Sequence, residues 1–166
     1  TSHVNVDHFE NYAEDVIAKY NLKKGSFIVD IGSNDGTCLK AFKERGMKVL
    51  GIDPADNIAQ IAIKNGIKTI PDFFSKQLAS KIKEEYGIPD LITSHNVLAH
   101  IEDFSNVMEA IASLMGKNSI FIFEVGYFGD VFENLWFDTI YHEHLDYHTV
   151  APLKNYFDTI DMDLFH

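Results

Sequence analysis

The stretch Phe27-Ile28-Val29-Asp30-Ile31-Gly32-Ser33-Asn34-Asp35-Gly36-Thr37 decides how the rest of the chain is read. A short β-branched apolar run enters a cluster of small polar residues, the pattern of a buried strand feeding a tight loop. From Thr37 the spacing turns helical, with Leu39, Ala41 and Phe42 inward and Lys40, Lys43 and Glu44 outward, until Gly46 ends it. Strand, glycine-bearing loop and helix in that order form the opening unit of a parallel α/β sheet.

The same rhythm continues outward. Strands are expected at Met47 to Ile52, Ile67 to Ile70, Asp90 to Ser94 and Ser119 to Val125. Helices are expected at Ala55 to Lys64 (Ile58, Ile61 and Ala62 inward), Ser75 to Tyr86 with Ser75 as N-cap, and Asp103 to Met115. Upstream, Asn11 to Tyr20 reads as a helix. Downstream, Leu153 to Phe157 reads as a helix and Met162 to Phe165 as the start of another strand. Trp136, Phe132 and Phe137 are expected to pack a helix onto the sheet. The fold class is therefore a doubly wound, mostly parallel α/β sheet, expected to lack its last strands. With no linker and no repeat, the 166 residues form one domain, expected to be part of a longer protein.

Composition narrows the function. The chain is 46% apolar and 13% aromatic, enough for a core. It has no apolar stretch of the roughly 20 residues that a membrane helix needs. A single cysteine, Cys38, excludes an internal disulfide and fits a cytoplasmic setting. The net charge is −11, and it is uneven: residues 118–166 carry nine acids and one base, Lys154, with 12 of the 21 aromatic residues. Such a surface disfavours nucleic acid and anionic lipid as partners. A small-molecule substrate is expected, and nothing in the sequence specifies an oligomeric state.

The first loop says what kind of ligand. A dinucleotide site uses G-x-G-x-x-G to seat a pyrophosphate on a helix N-terminus. Here the spacing is D-x-G-x-x-x-G, with Asp30 before Gly32, Asn34-Asp35 inside and Gly36 closing it. Those groups suit an ammonium better than a phosphate, and S-adenosylmethionine has an amino group, a sulfonium and no phosphate. Asp53, followed by Pro54, ends the second strand, where a carboxylate accepts from both ribose hydroxyls. Phe73 and Phe74 are placed to flank an adenine, and Asn96 to bond the methionine end. Singly, each reads equally well as a turn, a core or a loop residue. Their joint position at the carboxyl ends of successive strands makes the case.

These blocks, Val29 to Thr37, Gly51-Ile52-Asp53-Pro54, Phe73-Phe74-Ser75 and Asn96-Val97-Leu98-Ala99-His100-Ile101, resemble the class I methyltransferase core. Tyr141-His142-Glu143-His144-Leu145 resembles the sugar C-methyltransferases that act on nucleotide-linked 4-keto-deoxysugars. The resemblance covers nearly the whole chain and implies S-adenosylmethionine as cofactor, a nucleotide sugar as substrate and His144 as catalytic base. Members of that family are longer, with an N-terminal zinc module and further residues after the core. Tyrosines that complete their substrate site would precede Thr1.

Asp138 to His148 packs three histidines, two tyrosines and three carboxylates into eleven residues. Strand, helix and loop would group them differently, and the spacing alone does not choose. His-x-His and His-x3-His are metal-ligand spacings, but no second ligand cluster accompanies them, and no metal is expected. A solvated polar loop is the plain alternative. Carbon methylation needs a base to remove a proton beside a ketone, and histidine titrates in the right range. The expectation is His144 as base, Glu143 raising its pKa and fixing its tautomer, Tyr141 on the enolate oxygen, and His142 in positioning. An O- or N-methyltransferase, or a non-catalytic cofactor-binding domain, are the alternatives. A diphosphate fits the acidic segment poorly, so the cluster is expected to face the neutral sugar ring.

Overall fold

The computed structural model describes residues 3–165. Five parallel strands, β1 (Phe27–Ile31), β2 (Lys48–Ile52), β3 (Thr69–Ile70), β4 (Leu91–His95) and β5 (Ile120–Glu124), lie in the order β3-β2-β1-β4-β5. Helices α1 (His3–Lys19), α2 (Thr37–Glu44), α3 (Asp56–Lys64), α4 (Lys76–Tyr86), α5 (Phe104–Leu114), α6 (Phe128–Glu133) and α7 (Val150–Asp158) complete the chain. None of the described helices is long and apolar enough to cross a membrane.

Alternation along β1 builds both faces of the sheet. Ile28 joins Leu39 and Phe42 of α2 and Ala13 and Val16 of α1 in one core. Val29 and Ile31 join Leu78 and Ile82 of α4, Met108 and Ile111 of α5, and Phe157 of α7 in the other. Because β1 is central, with β2 and β3 on one side and β4 and β5 on the other, the strand order reverses between β1 and β4. That is the switch point where doubly wound sheets open a crevice at their carboxyl ends.

The doubly wound parallel class is as expected, and Ser75 caps α4 by accepting from Leu78 N–H at 3.2 Å. Four expectations change. α1 starts eight residues before Asn11. In α3 the buried residues are Ala59 and Ala62, while Ile61 is exposed, because only small side chains fit between that helix and the sheet. Met162 to Phe165 forms no strand: Met162 and Leu164 pack on the α4/α5 core, and Phe165 meets Tyr20 edge-on. Phe132, Trp136 and Phe137 do not dock a helix onto the sheet. They are exposed, since α6 has only six residues and buries Val131 alone.

Candidate functional site

Gly32 lets the first loop turn at the switch point. Its φ is +73°, and a Cβ there would stand 2.2 Å from Cγ2 of Val97, in the turn after β4. The two chain segments therefore touch where only a glycine fits. The loop then spends its amides internally. Gly32 and Ser33 N–H donate to Ile52 O at 2.8 and 3.0 Å, and Asn34 N–H to Asp53 Oδ2 at 2.8 Å. Asp35 N–H donates to Asn34 Oδ1 at 2.7 Å, Gly36 N–H to Ser33 O at 3.0 Å, and Thr37 N–H to Asp35 Oδ1 at 3.1 Å. With the N–H groups from Gly32 to Thr37 engaged, the loop offers no nest of amides for a phosphate.

Beside this loop lies a cleft of about 640 Å³ whose walls include Asp30, Asn34, Asp53, His95 and Asn96. It shares Gly32, Pro54, Val97 and His100 with an adjoining, more apolar hollow of about 480 Å³ that contains Phe73, Phe74, Ile101 and Val107. Eight of the nine predicted cofactor residues thus line one continuous depression. Gly36 does not: a Cβ there would press on Ile67 at 3.1 Å and Ala62 at 3.2 Å, so this glycine serves the packing of α2.

Each acid in the cleft is held by specific bonds. Asp30, 2% exposed, accepts from Thr93 Oγ1 at 2.7 Å across the β1–β4 pair. Asp53 accepts from Asn34 N–H through Oδ2 and from Ala55 N–H through Oδ1 at 2.9 Å. Asn96, with φ of 56°, donates its backbone N–H to Glu124 O at 2.8 Å and Nδ2 to Glu124 Oε1 at 3.3 Å. Cys38 is buried, and burial, with Asp30 and Glu124 adding to it, pushes its thiol well above the ordinary range. A neutral thiol is a poor nucleophile.

The histidine segment is a loop, and the turn after β4 holds it at the cleft. Leu145 N–H donates to Ala99 O at 2.7 Å, and His100 Nδ1 meets Glu143 O at 2.7 Å. His144 Nδ1 lies 2.9 Å from Thr139 O, and its Nε2 lies 3.0 Å from the Tyr141 hydroxyl. A carbonyl only accepts, so Nδ1 carries the proton. In the neutral ring, Nε2 is then the free base, accepting from Tyr141 O–H.

The predicted four do not act as one group. Tyr141 and His144 meet, whereas His142 is exposed and its Nε2 is 3.9 Å from the exposed Glu143 carboxylate. The tautomer of His144 is set by the Thr139 carbonyl rather than by Glu143. His100 was expected to be an ordinary loop histidine. Instead it lines the cleft and stands 5.0 Å, ring to ring, from His144. The available signal was its place one turn past a strand end, in the block Asn96 to Ile101.

Among the described residues, the side chains that converge like metal ligands are Asp30, Cys38 and His95, with donor atoms within 4.8 Å of one another. They lie in the cleft, away from the Tyr141-His144 pair.

Comparison with known proteins agrees with this layout. Residues 6–166 match the family described as Methyltransferase domain. C-methyltransferase NovU of Streptomyces niveus is 31% identical over 93% of this chain and 37% of its own length. The ubiquinone biosynthesis O-methyltransferase of Bordetella avium is 27% identical over 55% of this chain and 39% of its own length. The chain thus spans about two-fifths of the curated relatives it matches. A methyltransferase from Archaeoglobus fulgidus superposes with TM-score 0.71 at 15% identity, covering 91% of this chain and 68% of that one. The plantazolicin methyltransferase BamL, solved with S-adenosylhomocysteine, superposes with TM-score 0.69 at 17% identity, covering 96% and 62%. With its β1 loop, switch-point cleft and matched family, the chain belongs to the methyltransferase-domain family and is an S-adenosylmethionine-dependent methyltransferase domain.

Proposed function

We propose that this domain methylates a carbon beside a ketone in a nucleotide-linked keto-deoxysugar, with His144 as the base. The observation that carries the reading is the polarity of the His144 ring, with a carbonyl on Nδ1 and the Tyr141 hydroxyl on Nε2, next to a cleft-lining His100. Similarity to a protein named as a C-methyltransferase supports carbon as the acceptor.

The cleft suits S-adenosylmethionine. Its first loop has no open amide nest, and the cofactor has no phosphate. Each Asp53 oxygen keeps acceptor capacity after one backbone bond, enough for both ribose hydroxyls. Asp30 is placed for the ammonium, the Phe73-Phe74 hollow for the adenine, and Gly32, Asn34, Pro54 and Asn96 form the remaining walls. Asp53→Ala is expected to weaken cofactor binding at least about tenfold, the value of a bond to a charged group, as isothermal calorimetry would register. Unchanged affinity would remove the ribose assignment.

When bound, the cofactor supplies an electrophilic methyl on a sulfonium. The chain's own groups do the rest. His144 Nε2 takes the proton from the substrate carbon, and Thr139 O steadies the imidazolium through Nδ1–H. Tyr141, freed from Nε2, donates its O–H to the developing enolate oxygen. His142 and Glu143, exposed side by side, are assigned to the rim that receives the sugar. No lysine or arginine is among the described residues lining the cleft, so the diphosphate is held away from it. Labelled methyl transfer to a panel of 4-keto nucleotide sugars, with the product linkage read by NMR, tests this proposal. A carbon-linked methyl is expected. An oxygen- or nitrogen-linked methyl would overturn it.

A further inference from the structure

The floor of the cleft holds polar groups that methyl transfer leaves unused. His95, at the end of β4, turns Nδ1 toward Asp30 Oδ1 at 3.7 Å. α1 covers the imidazole with the edges of Phe9 and Tyr12, at ring separations of 5.2 and 4.9 Å. His95 Nε2 and the Tyr12 hydroxyl are both buried without a hydrogen-bond partner. Native interiors rarely leave such groups unpaired, because each then loses its bonds to water without replacement.

Charge indicates what they await. The cleft carries the carboxylates of Asp30, Asp35 and Asp53, and its only described side chains able to turn cationic near neutrality are His95 and His100. His100 is already bonded to Glu143 O beside His144. The loop amides from Gly32 to Thr37 are engaged as well. An amino-acid moiety entering here brings an ammonium, which Asp30 attracts, and a carboxylate, which the aspartates repel.

We infer that His95 Nε2–H and Tyr12 O–H form the subsite for the cofactor's α-carboxylate, with Asp30 orienting the imidazole from Nδ1. The inference rests on the cleft being the cofactor site. Asp30 on β1, Cys38 on α2, Tyr12 on α1 and Glu124 on β5 are the titratable neighbours that set the local field. Burial first, then Cys38, Asp30 and Glu124, holds the Tyr12 hydroxyl far above the usual phenol range, so it remains a donor.

Decarboxylated S-adenosylmethionine keeps the sulfonium and ammonium but lacks the carboxylate, and calorimetry with both ligands separates the roles. His95→Leu and the isosteric Tyr12→Phe are each expected to weaken S-adenosylmethionine about tenfold and leave the decarboxylated ligand within about twofold. Equal loss for both ligands means a structural role, and no loss means no role; either result overturns the inference. Zinc bound stoichiometrically and lost in Cys38→Ser would also overturn it, by making His95 a metal ligand. Asp53→Ala is the control. If it weakens both ligands, the cleft is the cofactor site and the His95 result stands alone; if it weakens neither, the site and the inference fall together.

Discussion

His144→Ala is expected to cut methyl transfer by about 10²–10⁴-fold, the usual contribution of a general base, while cofactor affinity stays within about twofold. The separation follows from geometry. His144 bonds to Thr139 and Tyr141 on the histidine segment and lies outside the cofactor walls. A second readout isolates the proton step: exchange of the substrate's α-proton with deuterated water, followed by NMR with S-adenosylhomocysteine present. The variant should lose this exchange along with turnover. If exchange persists near the parent rate, another group removes the proton, and His100, 5.0 Å away, becomes the first to test.

Gly32→Ala is expected to damage fold and cofactor site together. Holding alanine at φ of +73° costs about 1–2 kcal/mol. Forcing a methyl to within 2.2 Å of Val97 adds overpacking of about 1–3 kcal/mol. Stability in urea should therefore fall by roughly 3 kcal/mol, and S-adenosylhomocysteine should raise the melting temperature much less than in the parent. Val97→Ala in the same chain removes the clash and leaves the strained φ, so it should restore part of the stability. If Gly32→Ala retains full stability and cofactor affinity, the close approach of the two turns is not what shapes the cleft.

Local pattern carried most of the fold. The apolar run of β1, the change to helical spacing at Thr37 and the Ser75 cap are decided by residues within a few positions of one another. The acids and amides at strand ends were readable for the same reason, because parallel strands deliver their carboxyl ends to one edge whatever loops follow. Met162 to Phe165 looked like a strand because apolar residues alternate there, but a strand needs a neighbour to bond, and these side chains pack on helices instead.

What the sequence by itself determined is the doubly wound class, the switch-point loop and the chemical character of the histidine segment. Tertiary structure alone decided that Gly36 packs a helix while Gly32 shapes the cleft, and that Thr139 rather than Glu143 holds His144. It also decided that His100 joins the cleft to the base, and that His95 and Tyr12 lie unpaired beneath α1. The physical reason is distance along the chain. Periodicity reports which face a residue occupies. Which nitrogen meets which carbonyl depends on how segments some forty to eighty residues apart settle against one another, as His100 does on Glu143 and Tyr12 on His95.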